Sequence, residues 1–126
     1  MLKFIEKYSL ITVISTILLA GVIWYLSSFP TDPVPSIGFK YKAYIYHFGI
    51  FFLLSLSTII LFSKGGKNKN GIGVAILTTI LYAVIDEIHQ YFVPGRGVST
   101  GDFITDSLGI ALAAVFYIIR IKNLNN

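Results

Sequence analysis

The chain of 126 residues contains no cysteine. This absence excludes disulfide bonds, metal sites built from thiolates and cysteine nucleophiles. Charge is also scarce, because only 13% of the residues are Asp, Glu, Lys or Arg, whereas 55% are apolar and 15% are aromatic. With a mean hydropathy of +0.75, this composition lies well outside that of ordinary soluble proteins. It predicts an integral membrane protein.

The sequence also lacks the short motifs of common hydrolases and nucleotide-binding proteins. It has no Ser-x-x-Lys, no Gly-x-Ser-x-Gly, no His-Glu-x-x-His and no P-loop. The ten basic residues lie at the ends of apolar segments instead of forming a stripe on one polar face. Membrane lipids with anionic headgroups are therefore the expected partners, and nucleic acid is not expected.

Four apolar segments are each long enough to cross the hydrocarbon core of a bilayer. They predict an all-α fold, a four-helix transmembrane bundle that forms a single domain over residues 1–126. The helices are expected at about residues 8–26, 43–63, 71–91 and 99–120. Prolines 30, 33 and 35 favour an extended surface loop after the first helix.

The basic residues predict the orientation of this bundle. Seven of them lie near the N-terminus, in the middle turn or near the C-terminus, whereas the other side holds only Lys40, Lys42 and Arg96. Because cytoplasmic loops carry the excess of Lys and Arg, both termini are predicted to be cytoplasmic. The protein is then a multi-pass protein of the cell membrane whose polar residues face outward.

Polar residues from distant parts of the sequence fall at one predicted depth. Consecutive helices alternate in direction, so the start of the second, the end of the third and the start of the fourth share the outward level. A polar site is therefore predicted at this end of the bundle. Its candidate residues are His47, Asp86, Glu87, His89, Gln90, Arg96, Asp102 and Asp106.

The third helix carries the densest part of this site. Asp86, His89 and Gln90 stand at i, i+3 and i+4, share one face, and are predicted to point into the bundle. Glu87 is turned about 100° away and is expected at the edge or against a neighbouring helix. If the protein is an enzyme, Asp86, Glu87 and His89 are the candidate catalytic residues, as acid and base. The alternative is a hydrogen-bond network that only locks the helices together.

The remaining candidates are assigned to substrate binding: His47, Gln90, Arg96, Asp102 and Asp106. His47 fits either a general base or a structural partner of a carboxylate. Ser99 is predicted to cap the fourth helix, with Asp102 in a capping box, which alone would explain Asp102. Asp106, one turn deeper, has no capping role.

Arg96 precedes a helix N-terminus, where a lipid phosphate or a pyrophosphate would be favoured. Its alternative role is to pair with Asp86, Glu87 or Asp102. The cofactor is unknown. The set Asp86, Glu87, His89 and Asp106 is compatible with a divalent cation, but its spacing matches no specific metal site.

Several of these residues together resemble the signature of the VanZ-like membrane proteins. The resemblance rests on Asp86-Glu87-Ile88-His89-Gln90, on Phe92-Val93-Pro94-Gly95-Arg96, and on Asp102, Asp106 and Gly109. Ser27-Ser28-Phe29-Pro30 and His47 also fit, whereas Gly97-Val98-Ser99 departs from the serine or alanine that commonly follows the arginine. The resemblance implies a compact bundle of mostly four helices and, for the founding member, low-level teicoplanin resistance. It implies no established reaction.

Three functions remain open from the sequence. The leading hypothesis is an envelope protein whose outward pocket binds an anionic, phosphate-bearing lipid or envelope precursor, with an effect on teicoplanin susceptibility. The second is a membrane-embedded hydrolase or transferase that acts on a lipid-linked substrate through a carboxylate-histidine site. The third is a structural or partner-assisting membrane protein without catalysis.

Overall fold

The computed structural model describes the backbone of residues 2–31 and 37–124, and the side chains of residues 9–31 and 37–123. It contains the helices α1 (Leu2–Ser27), α2 (Ile37–Phe62), α3 (Asn70–Tyr91) and α4 (Thr100–Leu124). Each includes a span long and apolar enough to cross a membrane. The prediction of an all-α fold with four helices long and apolar enough to span a membrane is confirmed.

The helices extend further than the apolar segments that predicted them. α2 begins at Ile37 instead of about residue 43, so Lys40 and Lys42 belong to the helix. α1 likewise begins at Leu2 and α4 continues to Leu124. A charged residue limits the hydrophobic span but not the helix, because long basic side chains can reach the headgroup region. Most of the predicted loop after α1 lies at residues 32–36, outside the described residues.

α2 occupies the centre of the bundle. It packs against α1, α3 and α4, and its contact with α4 is the most extensive between any two helices in the described part of the chain. One apolar cluster fills the half of the bundle nearer the predicted polar site, with Ile23, Phe51, Leu54, Ala83 and Ile110. A second fills the other half, with Ile59, Ala75, Ala113, Ala114 and Tyr117.

The outer surface of the bundle is apolar on all four helices. α1 shows this most clearly, since only a few of its described side chains are buried while Leu10, Ile17 and Leu18 are more than 60% exposed. In water such a surface would be an aggregation or binding patch. On a bundle whose helices satisfy their own backbone hydrogen bonds, it is the surface that lipid requires.

Gly109 permits the close approach of α4 to α2. A Cβ atom at this position would collide with the carbonyl oxygen of Phe48 and would lie 3.0 Å from the backbone nitrogen of Phe52. Because the two backbones are in contact here, side chains one turn earlier on α4 can reach those of α2. Asp106 and His47 occupy those positions.

Candidate functional site

Three helices place polar side chains in the interior at one end of the bundle. His47 comes from α2, Asp86, Glu87 and Gln90 come from α3, and Asp106 comes from α4. We call these five residues the buried polar cluster, since their exposed fractions lie between 0% and 4%. The predicted convergence of these residues at one level is therefore observed. Asp102 and Arg96 lie beside the cluster and are partly buried.

His47 is held by two carboxylates of α4. Its Nδ1 atom lies 2.9 Å from Oδ1 of Asp106, and its Nε2 atom lies 3.8 Å from Oδ2 of Asp102. The two aspartates stand at i and i+4, so they share the helix face that meets α2. The sequence indicated a common depth for His47 and these acids, but not that α4 supplies both of its partners.

Glu87 reaches from α3 to the start of α4. Its Oε2 atom accepts a hydrogen bond of 2.8 Å from the backbone N–H of Ser99. The hydroxyl of Ser99 accepts a bond from the N–H of Asp102, which confirms Ser99 as the N-cap. The capping box also predicted that the carboxylate of Asp102 accepts a bond from the backbone N–H of Ser99. This part is wrong, because Glu87 accepts that bond instead. An aspartate is one methylene shorter than the glutamate that normally closes such a box, and Asp102 turns towards His47 instead.

Asp86 and Gln90 lie in the interior, as predicted, and bind one another. Nε2 of Gln90 donates to Oδ2 of Asp86 at 2.9 Å and to the hydroxyl of Ser27, at the end of α1, at 3.2 Å. This pair therefore joins α3 to α1.

His89 was predicted to point into the bundle with Asp86 and Gln90, and this prediction is wrong, because its side chain is only partly buried and lies at the edge against the end of α1. Its ring stacks on Trp24 with the ring centroids 3.9 Å apart, and its Nε2 atom lies 3.0 Å from the hydroxyl of Ser28. Among the described side chains, Asp102 and Asp106 are the carboxylates that pair with a histidine. Both pair with His47 and not with His89. The candidate catalytic set is thus divided, with Asp86 and Glu87 inside and His89 against α1.

Arg96 anchors the loop between α3 and α4 to the end of α1. Its Nε atom donates to the carbonyl of Phe29 at 2.9 Å, and Nη2 donates to the carbonyl of Leu26 at 3.1 Å. Gly95 has φ of +76°, and the carbonyl oxygen of Thr31 occupies the space that a side chain would need. The guanidinium group therefore binds carbonyl groups, and among the described residues it does not form the predicted alternative pair with Asp86, Glu87 or Asp102.

A cavity of about 760 Å³ opens beside the buried polar cluster. This volume falls in the range of small-molecule pockets. Its lining includes three cationic side chains, Lys40, Lys42 and Arg96, together with His47 and Asp102. Lys40 and Lys42 were not among the predicted site residues. The signal for Lys40 was its spacing from Tyr44 and His47 at i, i+4 and i+7, which places the three on one helix face only if α2 begins before Lys40. The spacing gives no such signal for Lys42.

Several oxygen atoms around the buried polar cluster are buried without a hydrogen-bond partner. They are Oδ1 of Asp86, Oε1 of Glu87, Oδ2 of Asp106 and the hydroxyl of Tyr46. In addition, ligand atoms of His47, Glu87 and Asp106 all lie within 4.8 Å of one another. This set differs from the carboxylate-histidine set expected from the sequence, since His47 replaces His89 and Asp86 lies outside it.

Comparison with known protein families agrees with the observed fold. The model of the family described as VanZ/LLP1 matches residues 12–121. The chain belongs to the VanZ/LLP1 family. The matched range includes parts of all four helices of this VanZ-family protein, every residue of the buried polar cluster, and Arg96 and Asp102. No curated protein and no solved structure matches the chain.

Proposed function

We propose that this VanZ-family protein binds an anionic, phosphate-bearing lipid or envelope precursor in the cavity at the polar end of the bundle. The observation that carries the proposal is the position of Lys40, Lys42 and Arg96, which line one cavity although they come from α2 and from the loop before α4. Positive charges that converge on one concave surface attract an anionic ligand and fix its orientation.

The three cations suit different parts of a phosphate group. Lysine acts as a mobile point charge, whereas arginine presents a planar fork of five N–H donors. Arg96 uses Nε and Nη2 for the carbonyls of Phe29 and Leu26, which leaves donors on the same group for an anion in the cavity. The fixed guanidinium and the two lysines outnumber the one carboxylate of the lining, Asp102, so the cavity retains positive charge for a phosphate or a pyrophosphate.

The rest of the cavity suits the apolar part of an amphiphile. Leu26, Phe29, Phe39 and Val98 contribute to its lining, and all four side chains are exposed. An apolar wall beside a cluster of cations is the pattern that an acyl or prenyl chain with an anionic headgroup would match. A small soluble anion would use only the cationic part.

We further propose that both termini are cytoplasmic and that the cavity opens at the outer face of the cell membrane. The support is the distribution of basic residues, seven on the side of the termini and three on the side of the cavity. In this orientation the ligand is a lipid of the outer leaflet or a lipid-linked precursor exposed there. The family resemblance alone extends the proposal to the teicoplanin susceptibility of the cell.

The hydrolase or transferase alternative receives less support in the form that pairs Asp86 or Glu87 with His89. An acid and a base must both reach one substrate, whereas Asp86 and Glu87 are buried inside the bundle and His89 is stacked on Trp24 and bound to Ser28 at its edge.

Native mass spectrometry of the purified protein tests the binding proposal. The double variant Lys40→Gln/Lys42→Gln removes two cavity cations, each of which contributes about 1 kcal/mol to the attraction of an anionic lipid. The affinity for a phosphate-bearing lipid should therefore fall by about 30-fold. The matched control is Lys64→Gln/Lys67→Gln, which removes two charges between α2 and α3 at the other end of the bundle and should leave the bound lipid in place. Equal lipid occupancy in wild type and both variants would refute the proposal.

A further inference from the structure

We propose that His47, Glu87 and Asp106 form a site for one divalent transition-metal ion, for which Mn²⁺ and Zn²⁺ are suitable probes. The three residues come from α2, α3 and α4, so a bound ion would join the three helices at the polar end. The proposal does not depend on lipid binding, because it rests on the interior of the bundle and not on the cationic side chains of the cavity.

The geometry of the three residues suits a metal ion of this size. One ligand atom from each lies within 4.8 Å of the other two, and Nδ1 of His47 lies 2.9 Å from Oδ1 of Asp106. Two ligands at right angles around an ion with bonds of about 2.1 Å are separated by about 3.0 Å. The ion therefore requires only small adjustments of the side chains, chiefly of Glu87.

Two oxygen atoms of this group point independently to a ligand. Oε1 of Glu87 and Oδ2 of Asp106 are buried without a hydrogen-bond partner, and both residues are at least 96% buried. A carboxylate oxygen that has lost its water and gained no donor is strongly destabilising. Coordination of a cation by these two carboxylates would supply the missing interaction, with Asp106 binding through Oδ2 as well as through Oδ1.

The charge and the chemistry of the group select the class of ion. In the described part of the chain no lysine or arginine forms an ion pair with Glu87 or Asp106, and a protonated His47 could balance only one of the two carboxylates. A divalent ion balances both. An imidazole combined with two carboxylates suits Zn²⁺, Mn²⁺ or Fe²⁺ better than Ca²⁺ or Mg²⁺, which prefer oxygen ligands alone.

A neighbouring group already orients one of the three ligands. The N–H of Ser99 binds Oε2 of Glu87, which leaves Oε1 for the ion. Oδ2 of Asp102 lies 3.8 Å from Nε2 of His47, so a small movement would let it accept a hydrogen bond from that nitrogen when Nδ1 holds the ion. Such outer partners fix the tautomer and the direction of metal ligands. His47 also lines the cavity, so the site lies directly beside it.

Metal binding can be measured directly on the protein in detergent, purified without an oligohistidine tag because the chain contains only two histidines. Wild type is incubated with MnCl₂ or ZnCl₂, dialysed and analysed for metal per chain. We expect one ion per chain, and at least a tenfold loss of affinity in Glu87→Gln and Asp106→Asn. Asp86→Asn removes a buried carboxylate outside the group and is the matched control, which should retain the ion.

The ¹⁵N imidazole spectrum of wild type provides a test that does not depend on the folding of variants. Zn²⁺ should shift the ring resonances of His47 and leave those of His89, assigned with His89→Gln, unchanged. Absence of saturable binding to wild type would overturn the proposal. The same conclusion follows if His89 shifts in place of His47, or if Asp86→Asn loses the ion as readily as folded Glu87→Gln. Because the lysines of the cavity are intact in these variants, the result is separate from that of the lipid experiment.

Discussion

The contact between α2 and α4 at Gly109 yields the sharpest test of the fold. The substitution Gly109→Ala adds one methyl group where the carbonyl oxygen of Phe48 and the backbone nitrogen of Phe52 leave no room. Because both obstacles are backbone atoms, no side-chain rotation can relieve the collision. The helices must move apart, and the bond of 2.9 Å between His47 and Asp106 must lengthen with them.

Two opposing terms set the size of the effect. Alanine is favoured over glycine in a helix by about 1 kcal/mol. Overpacking of a close-packed interface typically costs about 1–3 kcal/mol, and the upper part of this range applies when the backbone has to shift. We therefore expect Gly109→Ala to lower the free energy of unfolding by about 1–2 kcal/mol. Gly49→Ala in α2, where a Cβ atom would meet nothing within 4 Å, should raise it by up to about 1 kcal/mol.

The assay is reversible unfolding in mixed detergent micelles, followed by the fluorescence of the single tryptophan, Trp24. The variants differ from wild type by the same methyl group, so the opposite signs of their effects are the diagnostic result. If Gly109→Ala is as stable as Gly49→Ala, then α2 and α4 are not in backbone contact at this position. The position of Asp106 beside His47 would then be wrong as well.

Two further predictions concern the polar end. Arg96→Lys should lower the free energy of unfolding by about 1 kcal/mol, because a lysine cannot hold the carbonyls of Phe29 and Leu26 together. Lipid occupancy in native mass spectra should persist since the charge is kept, and unchanged stability would contradict the anchoring role. The second prediction concerns the orientation in the membrane, which single cysteines can report because the chain has none of its own. Gly97→Cys should react with a membrane-impermeant maleimide in intact cells, whereas Lys67→Cys should react only after the cells are lysed. The reverse pattern would refute cytoplasmic termini.

The number of helices and the location of the polar end were predictable from the sequence. The number of helices follows from the length of the apolar segments, since a run of about 20 apolar residues crosses a bilayer once. The location of the polar end follows because each crossing reverses the direction of the chain. The inward position of Asp86 and Gln90 was also predictable, because residues at i and i+4 share a helix face, but the same rule wrongly placed His89 inside the bundle. The helix bounds were less accurate, as Lys40 and Lys42 show, because a helix continues beyond the apolar segment that reveals it.

The partners of the polar residues were not predictable to the same degree. A pattern of apolar and polar residues gives the depth of a side chain and its direction on its own helix, but not the neighbouring helix that it meets. His47 and His89 were predicted at the same depth, yet His47 alone meets the carboxylates of α4, because Gly109 brings α4 onto α2. The capping box failed for a related reason, since a local rule cannot foresee that Glu87 from another helix competes for the N–H of Ser99.

The two proposals, an anionic ligand in the cavity and a metal ion in the interior, share one observation, the distribution of charged side chains at the polar end. The cations lie around the cavity, where Lys40 and Lys42 are exposed, and Arg96 is directed to carbonyl groups instead of to the acids. The carboxylates of Asp86, Glu87 and Asp106 lie in the interior with one imidazole close by. Had the cations served only to neutralise these acids, burial would have favoured direct pairs between them. Their separation places acidic groups inside and most of the cations of the polar end around the cavity, which is the arrangement that a metal ion inside and an anionic ligand in the cavity would require.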